Sequence, residues 1–225
     1  MSEVKLINGD CIKEMQKLID DGVKVDLVLT DPPYGIDLTI QRGTSKFYGT
    51  KVLNDNNLDW LDMWAELIDK ISKNIVVVFV GWPTLAKFQE TFEKQGFTLK
   101  NVLVWDKMWF GMGNNYRPIY ELIMLLCKSN FTISSNDKSN ILSYKKIAPN
   151  KLVHSCEKPI PLLEDLLTDL SNEGDTVLDC FMGSGTTGVA CMETNRNFIG
   201  IELDPKYYEI AEQRIKEAKA QRRLI

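Results

Sequence analysis

Asp31, Pro32, Pro33 and Tyr34 place an acid, two rigid residues and a flat ring at the end of a short apolar run, Val25-Asp26-Leu27-Val28-Leu29-Thr30, and Gly35 closes the stretch. The prolines cannot continue a strand ladder, so the carbonyls around them are free to face a ligand. Asp31 is an acceptor at what reads as the carboxyl end of a buried strand, where open α/β sheets bind ligands. An acceptor for an amino group beside a stacking surface is a receptor for a nucleobase that carries an exocyclic amine.

A second constellation lies about 150 residues downstream, at Asp179-Cys180-Phe181-Met182-Gly183-Ser184-Gly185-Thr186-Thr187-Gly188, with Glu202 19 residues after Gly183. Read literally, Gly183-x-Gly185-x-x-Gly188 followed by an acid is the fingerprint of an adenosine cofactor. The glycines let the backbone approach the ligand, the helix amides receive an anion, and the carboxylate accepts two ribose hydroxyls. The anion fits either the pyrophosphate of NAD or the carboxylate of S-adenosylmethionine. NAD chemistry gives no reason for an Asp-Pro-Pro-Tyr loop on another strand, whereas a methyl donor beside an amine receptor makes a complete reaction.

The elements that must position these residues follow from hydrophobic period. Val4 to Ile7 is a strand that ends at Asn8-Gly9-Asp10. Cys11, Ile12, Met15, Leu18 and Ile19 share a helix face, and the strand into Asp31 follows, so the chain opens as a right-handed βαβ unit. Residues 36–58 have no period and are expected to form a mobile flap over substrate. Asp59 is placed to cap a helix bearing Trp60, Trp64, Leu67, Ile68 and Ile71. Ile75 to Val80 is wholly apolar and reads as a central strand; Pro83-Thr84 starts a helix that Gly96 stops. Phe97 to Trp105 and Ile119 to Cys127 are expected to pair antiparallel at the sheet edge. Residues 128–157 are polar and weakly patterned, the only room for a separate module. A leucine-striped helix after Pro159, a strand into Asp179, the glycine turn with its helix, a strand into Glu202 and a last helix after Asp204-Pro205 complete the chain. The expectation is one α/β domain over residues 1–225, Rossmann-like, with a seven-stranded, mostly parallel sheet and an antiparallel edge hairpin.

Composition narrows the setting. Hydrophobic residues at 44% and charged residues at 26% suit a soluble globular chain, with no apolar run near the ~20 residues of a membrane span. Five cysteines without a C-x-x-C pair, and a single histidine, argue against a disulfide framework and against a metal centre, so a cytoplasmic, reduced, metal-free protein is expected. A net charge of −4 is not a nucleic-acid signature by itself. Local patches run the other way: Arg42, Lys46 and Lys51 have no acid among residues 41–51, and 137–158 carries five lysines against two acids.

With both loops in view, the sequence resembles the amino-methyltransferases of DNA, which pair an F-x-G-x-G cofactor loop with a [D/N/S]-P-P-[Y/F/W] catalytic loop. The catalytic loop comes first here, as in the permuted β class of DNA methyltransferases. Asn8-Gly9-Asp10, Asn115-Tyr116-Arg117-Pro118-x-x-Glu121 and His154-Ser155-Cys156-Glu157-Lys158-Pro159 resemble further motifs of that class, in order along the chain. The resemblance implies methyl transfer from S-adenosylmethionine to the N6 amino group of a flipped-out adenine, with DNA as partner, in a restriction-modification setting of prokaryotic or phage origin. Dimerisation is common among members with this motif order.

By the same resemblance, Asp31, Pro32, Pro33 and Tyr34 are catalytic. Asp10, Lys158, Asp179, Phe181, Gly183, Gly185, Thr186 and Glu202 bind cofactor, with Asp10 near the adenine and Lys158 at the carboxylate. Arg42, Lys46, Lys145 and Lys146 are expected on phosphates, and Arg117 on nucleic acid near the base pocket. Segment 128–157 stands where larger members carry target recognition, and it is short. Cytosine N4 and RNA adenine remain alternative targets; an NAD-dependent oxidoreductase and a non-catalytic DNA-binding protein are the rival classes.

Overall fold

The computed structural model describes residues 2–35, 55–110, 116–133, 138–148 and 157–222. Strands β1 (Val4–Asn8), β2 (Val25–Thr30) and β3 (Ser72–Val80) alternate with helices α1 (Cys11–Asp20), α2 (Leu61–Ile71) and α3 (Leu85–Lys94). Then come β4 (Thr98–Asp106), β5 (Tyr120–Cys127) and β6 (Ile141–Ser143), followed by α4 (Ile160–Leu170), β7 (Thr176–Asp179), α5 (Thr186–Glu193), β8 (Asn197–Glu202) and α6 (Pro205–Arg222).

The central strands are apolar on both sides because both sides are covered. In β2, Leu27 and Leu29 face the core shared with α4, α5 and α6, while Val28 faces the core shared with α1, α2 and α3. In β3, Val77 and Phe79 take the first side and Val76, Val78 and Val80 the second. Alternating side chains on a doubly covered sheet give the unbroken apolar run read in the sequence. Each such side chain contributes about 1.5–3 kcal/mol by leaving water.

The sheet runs β1-β8-β7-β2-β3-β5-β4-β6. This corrects the expected seven strands to eight. The additional strand is β6, drawn from the segment expected to be a separate recognition insert; it pairs parallel with β4 through Val104 and Ile141. Trp105 donates its indole N–H to the Tyr144 carbonyl at 2.7 Å, and Lys138 binds Asp165 and Asp169 of α4 at 2.6 and 2.7 Å. Three residues of strand are too few to carry a periodic signal, so the sequence could not announce β6. The β4–β5 pair is antiparallel as expected, and β5 is antiparallel to β3 as well. Asp59 does not cap α2: the cap position is Trp60, without a side-chain bond, and the Asp59 N–H donates to Asn57 Oδ1 at 3.1 Å. Of the expected flap, 36–54 lie outside the described residues. Its far end is tied down, the buried Asp55 accepting from the Gly35 N–H at 2.7 Å.

Candidate active site

Sheet order brings the two sequence constellations together. β7 and β2 are adjacent, so Asp179 and Asp31 sit at neighbouring carboxyl ends. The strand ends are laced. The Thr30 hydroxyl donates to Asp179 Oδ1 at 2.7 Å, the Thr187 hydroxyl to Oδ2 at 2.6 Å, and the Phe181 N–H to Oδ1 at 3.1 Å. Asp179, expected on the cofactor, thus has both oxygens engaged in joining β2, β7 and the start of α5.

Burial pushes the Asp179 carboxyl up from 3.8 to about 6, against the Thr187, Thr30 and Phe181 hydrogen bonds. A carboxyl raised on folding adds stability in full below its unfolded value, and that stability is lost as pH rises through about 6. The side chain is 3% exposed, so the swing is about 3 kcal/mol. Asn can keep this geometry without titrating. The urea stability of Asp179→Asn relative to the parent is therefore expected to improve between pH 4 and pH 7.5; parallel pH profiles would refute it.

At the Asp31–Tyr34 loop, Tyr34 donates its hydroxyl to Asp31 Oδ1 at 2.6 Å. The ring lies against Gly81, where an added Cβ would stand 3.3 Å from Tyr34 Cδ2. Asp31 Oδ2 is paired with the Lys158 ammonium. Lys158, expected at the cofactor carboxylate, is buried between two acids: it also meets Glu121 Oε2 at 3.1 Å and stands 4.9 Å over the Phe79 ring. Glu121 receives Lys107 at 2.6 Å on its other oxygen. Burial and the Glu121 charge push the Asp31 carboxyl up against the pull of Lys158. Burial acts on Glu121 too, but Lys158 and Lys107 together outweigh it and hold that carboxyl below its ordinary value. Pro32 is buried, which fixes the loop that carries Asp31.

On the other side of β2 lies the glycine loop. Gly183 and Gly185 have φ of 53° and 81°, a region open to glycine. The Gly183 N–H donates to Glu202 Oε2 and the Asp204 N–H to Oε1, both at 2.8 Å. Each Glu202 oxygen keeps a second lone pair, so the held carboxylate can still accept hydroxyls. Burial raises its pKa. Asp10 caps α1, accepting from Lys13 N–H at 3.1 Å, one strand over at the end of β1; the Gly9 N–H donates to the Glu202 carbonyl at 2.9 Å. Phe181 leans on Trp60 and Trp64, with ring centroids at 5.6 and 5.8 Å. Thr186 is buried at the first turn of α5. Gly185 meets a demand the sequence did not suggest. Its Cα faces α6, where a Cβ would stand 2.8 Å from Ala211 Cβ.

Arg214 of α6 was missed by sequence reasoning. It donates to the Ser184 carbonyl and hydroxyl at 2.8 Å and pairs with Glu157 at 2.6 Å, tying the glycine loop to the stretch just before Lys158. A charged residue on the inward stripe Ile210, Ala211, Arg214, Ile215 was the available signal. Lys107 offered none. Three of the thiols are poor nucleophiles: burial pushes Cys180 up to about 12 and Cys11 and Cys191 well above their ordinary value.

The expected nucleic-acid residues fall in three places. Arg42 and Lys46 lie outside the described residues. Arg117 is exposed, 5.5 Å over the Phe110 ring. Lys145 and Lys146 run beside the end of β4, where the Lys146 N–H donates to the Lys107 carbonyl at 3.3 Å. The same edge carries Trp82, Trp109, Phe110 and Tyr116, which are 58% to 102% exposed. Among the described residues no cluster suited to a metal ion occurs, and no helix is long and apolar enough to cross a membrane.

A family model described as DNA methylase matches residues 25–213. The chain is 27% identical to the type II methyltransferase M.HpaI of Haemophilus parainfluenzae, over 94% of this chain and 74% of that one. It is 26% identical to the DNA adenine methyltransferase YhdJ of Escherichia coli K12, over 95% and 83%. A solved structure of M1.HpyAVI in complex with SAM superposes with a TM-score of 0.75 and 26% identity, covering 94% of this chain and 99% of that one.

Proposed function

Because the chain belongs to the N6/N4 DNA methylase family, we propose that it transfers a methyl group from S-adenosylmethionine to the N6 amino group of an adenine in DNA. The observation that carries the reading is the side-by-side placement of Asp31 and the Asp179–Gly185 loop on adjacent strand ends. An amine acceptor and an adenosine-cofactor cradle then share one edge of the sheet.

The residues at the cradle fit that cofactor. Glu202 presents a carboxylate held at both oxygens by backbone amides, with lone pairs left for ribose hydroxyls. The positive-φ glycine loop lets a ligand approach the backbone, and Phe181 and Asp10 flank it. When bound, S-adenosylmethionine supplies an electrophilic sulfonium methyl. Asp31 accepts the N–H of the target amine, which localises the nitrogen lone pair; Tyr34 offers its ring to the base and, through its hydroxyl, orients Asp31. The proton leaves after methylation, when the cationic amine is strongly acidic, and Asp31 is placed to take it. No covalent enzyme intermediate is needed.

DNA meets the same edge. Exposed aromatic rings offer stacking faces for unpaired bases, while Arg117, Lys145 and Lys146 offer charge to phosphates. This reconciles a net acidic chain with a polyanionic substrate, since little of the affinity then has to come from ion pairing. A cytoplasmic enzyme of bacterial or phage setting belongs to the same reading, supported by the bacterial origin of the relatives.

The test is transfer of a labelled methyl group to duplex DNA, followed by digestion to nucleosides. N6-methyladenine is expected. N4-methylcytosine would replace adenine by the runner-up target, and label appearing only in RNA, or nowhere, would overturn the reading.

A further inference from the structure

Glu121 on β5 and Lys107 just after β4 are separated from the glycine loop by β2 and β3, yet they end a chain of charge that begins at the catalytic acceptor. Asp31, Lys158, Glu121 and Lys107 alternate in sign and sum to zero, the condition under which buried charge is tolerated. We propose that Glu121 and Lys107 are positioning residues that divide the single charge of Lys158 between two carboxylates, and so fix the place and the proton affinity of Asp31.

Lys158 is held from three strands of the sheet edge. Its ammonium is enclosed by Asp31 from the β2 loop, Glu121 from β5 and the Phe79 ring from β3. Glu121 lies on a strand antiparallel to β3, with Val80 paired to Leu122, so its side chain reaches the acceptor from the far side of β3. Glu121 acts on Asp31 in two opposing ways. Its negative charge favours the protonated form of Asp31, and it holds the lysine that favours the ionised form. Lys107 offsets the first effect by neutralising Glu121 at 2.6 Å. Among the described residues, the other groups facing this chain are the Tyr34 hydroxyl on Asp31, Asp179 at the neighbouring strand end, and Lys146 beside Lys107. A positioning role built this way predicts signs that a packing role does not.

The inference rests on the methyl-transfer reading, and the experiment is the pH profile of single-turnover methyl transfer with saturating cofactor and DNA, together with cofactor affinity by calorimetry. Activity requires ionised Asp31, so its pKa is the acid limb. Glu121→Gln is expected to move that limb down by about one pH unit, Lys107→Met to move it up by less, and Lys158→Met to move it up by more than one. Cofactor affinity is expected to stay within about two-fold in all three, by the same locality of charge effects. Glu121→Asp is expected to bring the limb back toward the parent and serves where Gln disturbs folding. Limbs that stay put, or that move together in one direction, overturn the proposal. So does a Lys158→Met variant that loses cofactor affinity with an unmoved limb, because Lys158 would then serve the cofactor. An inactive parent enzyme would sink the methyl-transfer reading instead, so the two failures are distinct.

Discussion

Asp31→Ala is expected to lower methyl transfer on the order of 10³-fold while S-adenosylmethionine affinity stays within about two-fold. The two halves of the expectation have separate causes. Asp31 stands on the β2 loop and its partners are Tyr34, Lys158 and, through Lys158, Glu121. The cradle is held by Asp179, Glu202 and Arg214, which need nothing from Asp31. Alanine removes the acceptor and its charge together, so Asp31→Asn separates them. The amide can turn its oxygen to Lys158 and its NH2 to the Tyr34 hydroxyl oxygen, keeping shape without charge. Because activity requires the ionised carboxylate, Asn is expected to be nearly as slow as Ala; an Asn variant that recovers much of the rate would show that placement alone suffices. Single-turnover transfer of labelled methyl with calorimetry on the same preparations reads both numbers. Near-parental turnover in Asp31→Ala would remove Asp31 from the chemistry.

Gly185→Ala is expected to cost about 3 kcal/mol of stability and to weaken cofactor binding more than ten-fold, from two terms that add. The first is backbone: φ is +81°, where an L-side chain is strained by about 1–2 kcal/mol. The second is contact: a Cβ would stand 2.8 Å from Ala211 Cβ and 2.9 Å from Ala211 Cα, and a helix backbone cannot turn aside as a side chain can. Helix α6 or the loop must move, and the loop carries Gly183, whose N–H holds Glu202. Gly96→Ala is the control. Its φ is +87° with nothing within 4 Å of the added carbon, so only the backbone term applies, about 1 kcal/mol. Urea denaturation of both variants, with cofactor titration of the folded fraction, measures the difference. Equal costs would mean that α6 does not press on the loop.

The pattern of what could be read beforehand is physical. β2 and β3 were legible because a strand covered on both faces is apolar on both, as Leu27 to Leu29 and Ile75 to Val80 are. The glycine loop was legible because strand, positive-φ turn, helix and a following acid are local in sequence. The edge strand β6 was not legible, since three residues hold no period and its pairing to β4 is set by the rest of the sheet. Nor was the absence of a cap at Asp59: the helix starts one residue later than read, with Trp60 at the cap position, and the Leu61 N–H donates to the Leu58 carbonyl.

The residues of the site divide the same way. By itself the sequence determined the types: an acid and a ring behind a strand, a glycine turn with Glu202 beyond it, and an order of motifs that resembles one class of methyltransferase. Which of those residues touch was decided by the sheet order, because β7 and β2 become neighbours only when the chain has folded, across 149 residues between Thr30 and Asp179. Lys158 shows the limit most directly. The resemblance put it at the cofactor carboxylate; in the structure its ammonium is paired with Asp31, 127 residues away, and with Glu121. A lysine binds whichever acids the fold brings within reach of a flexible four-carbon stem, and that is a property of three dimensions that no spacing in one can encode.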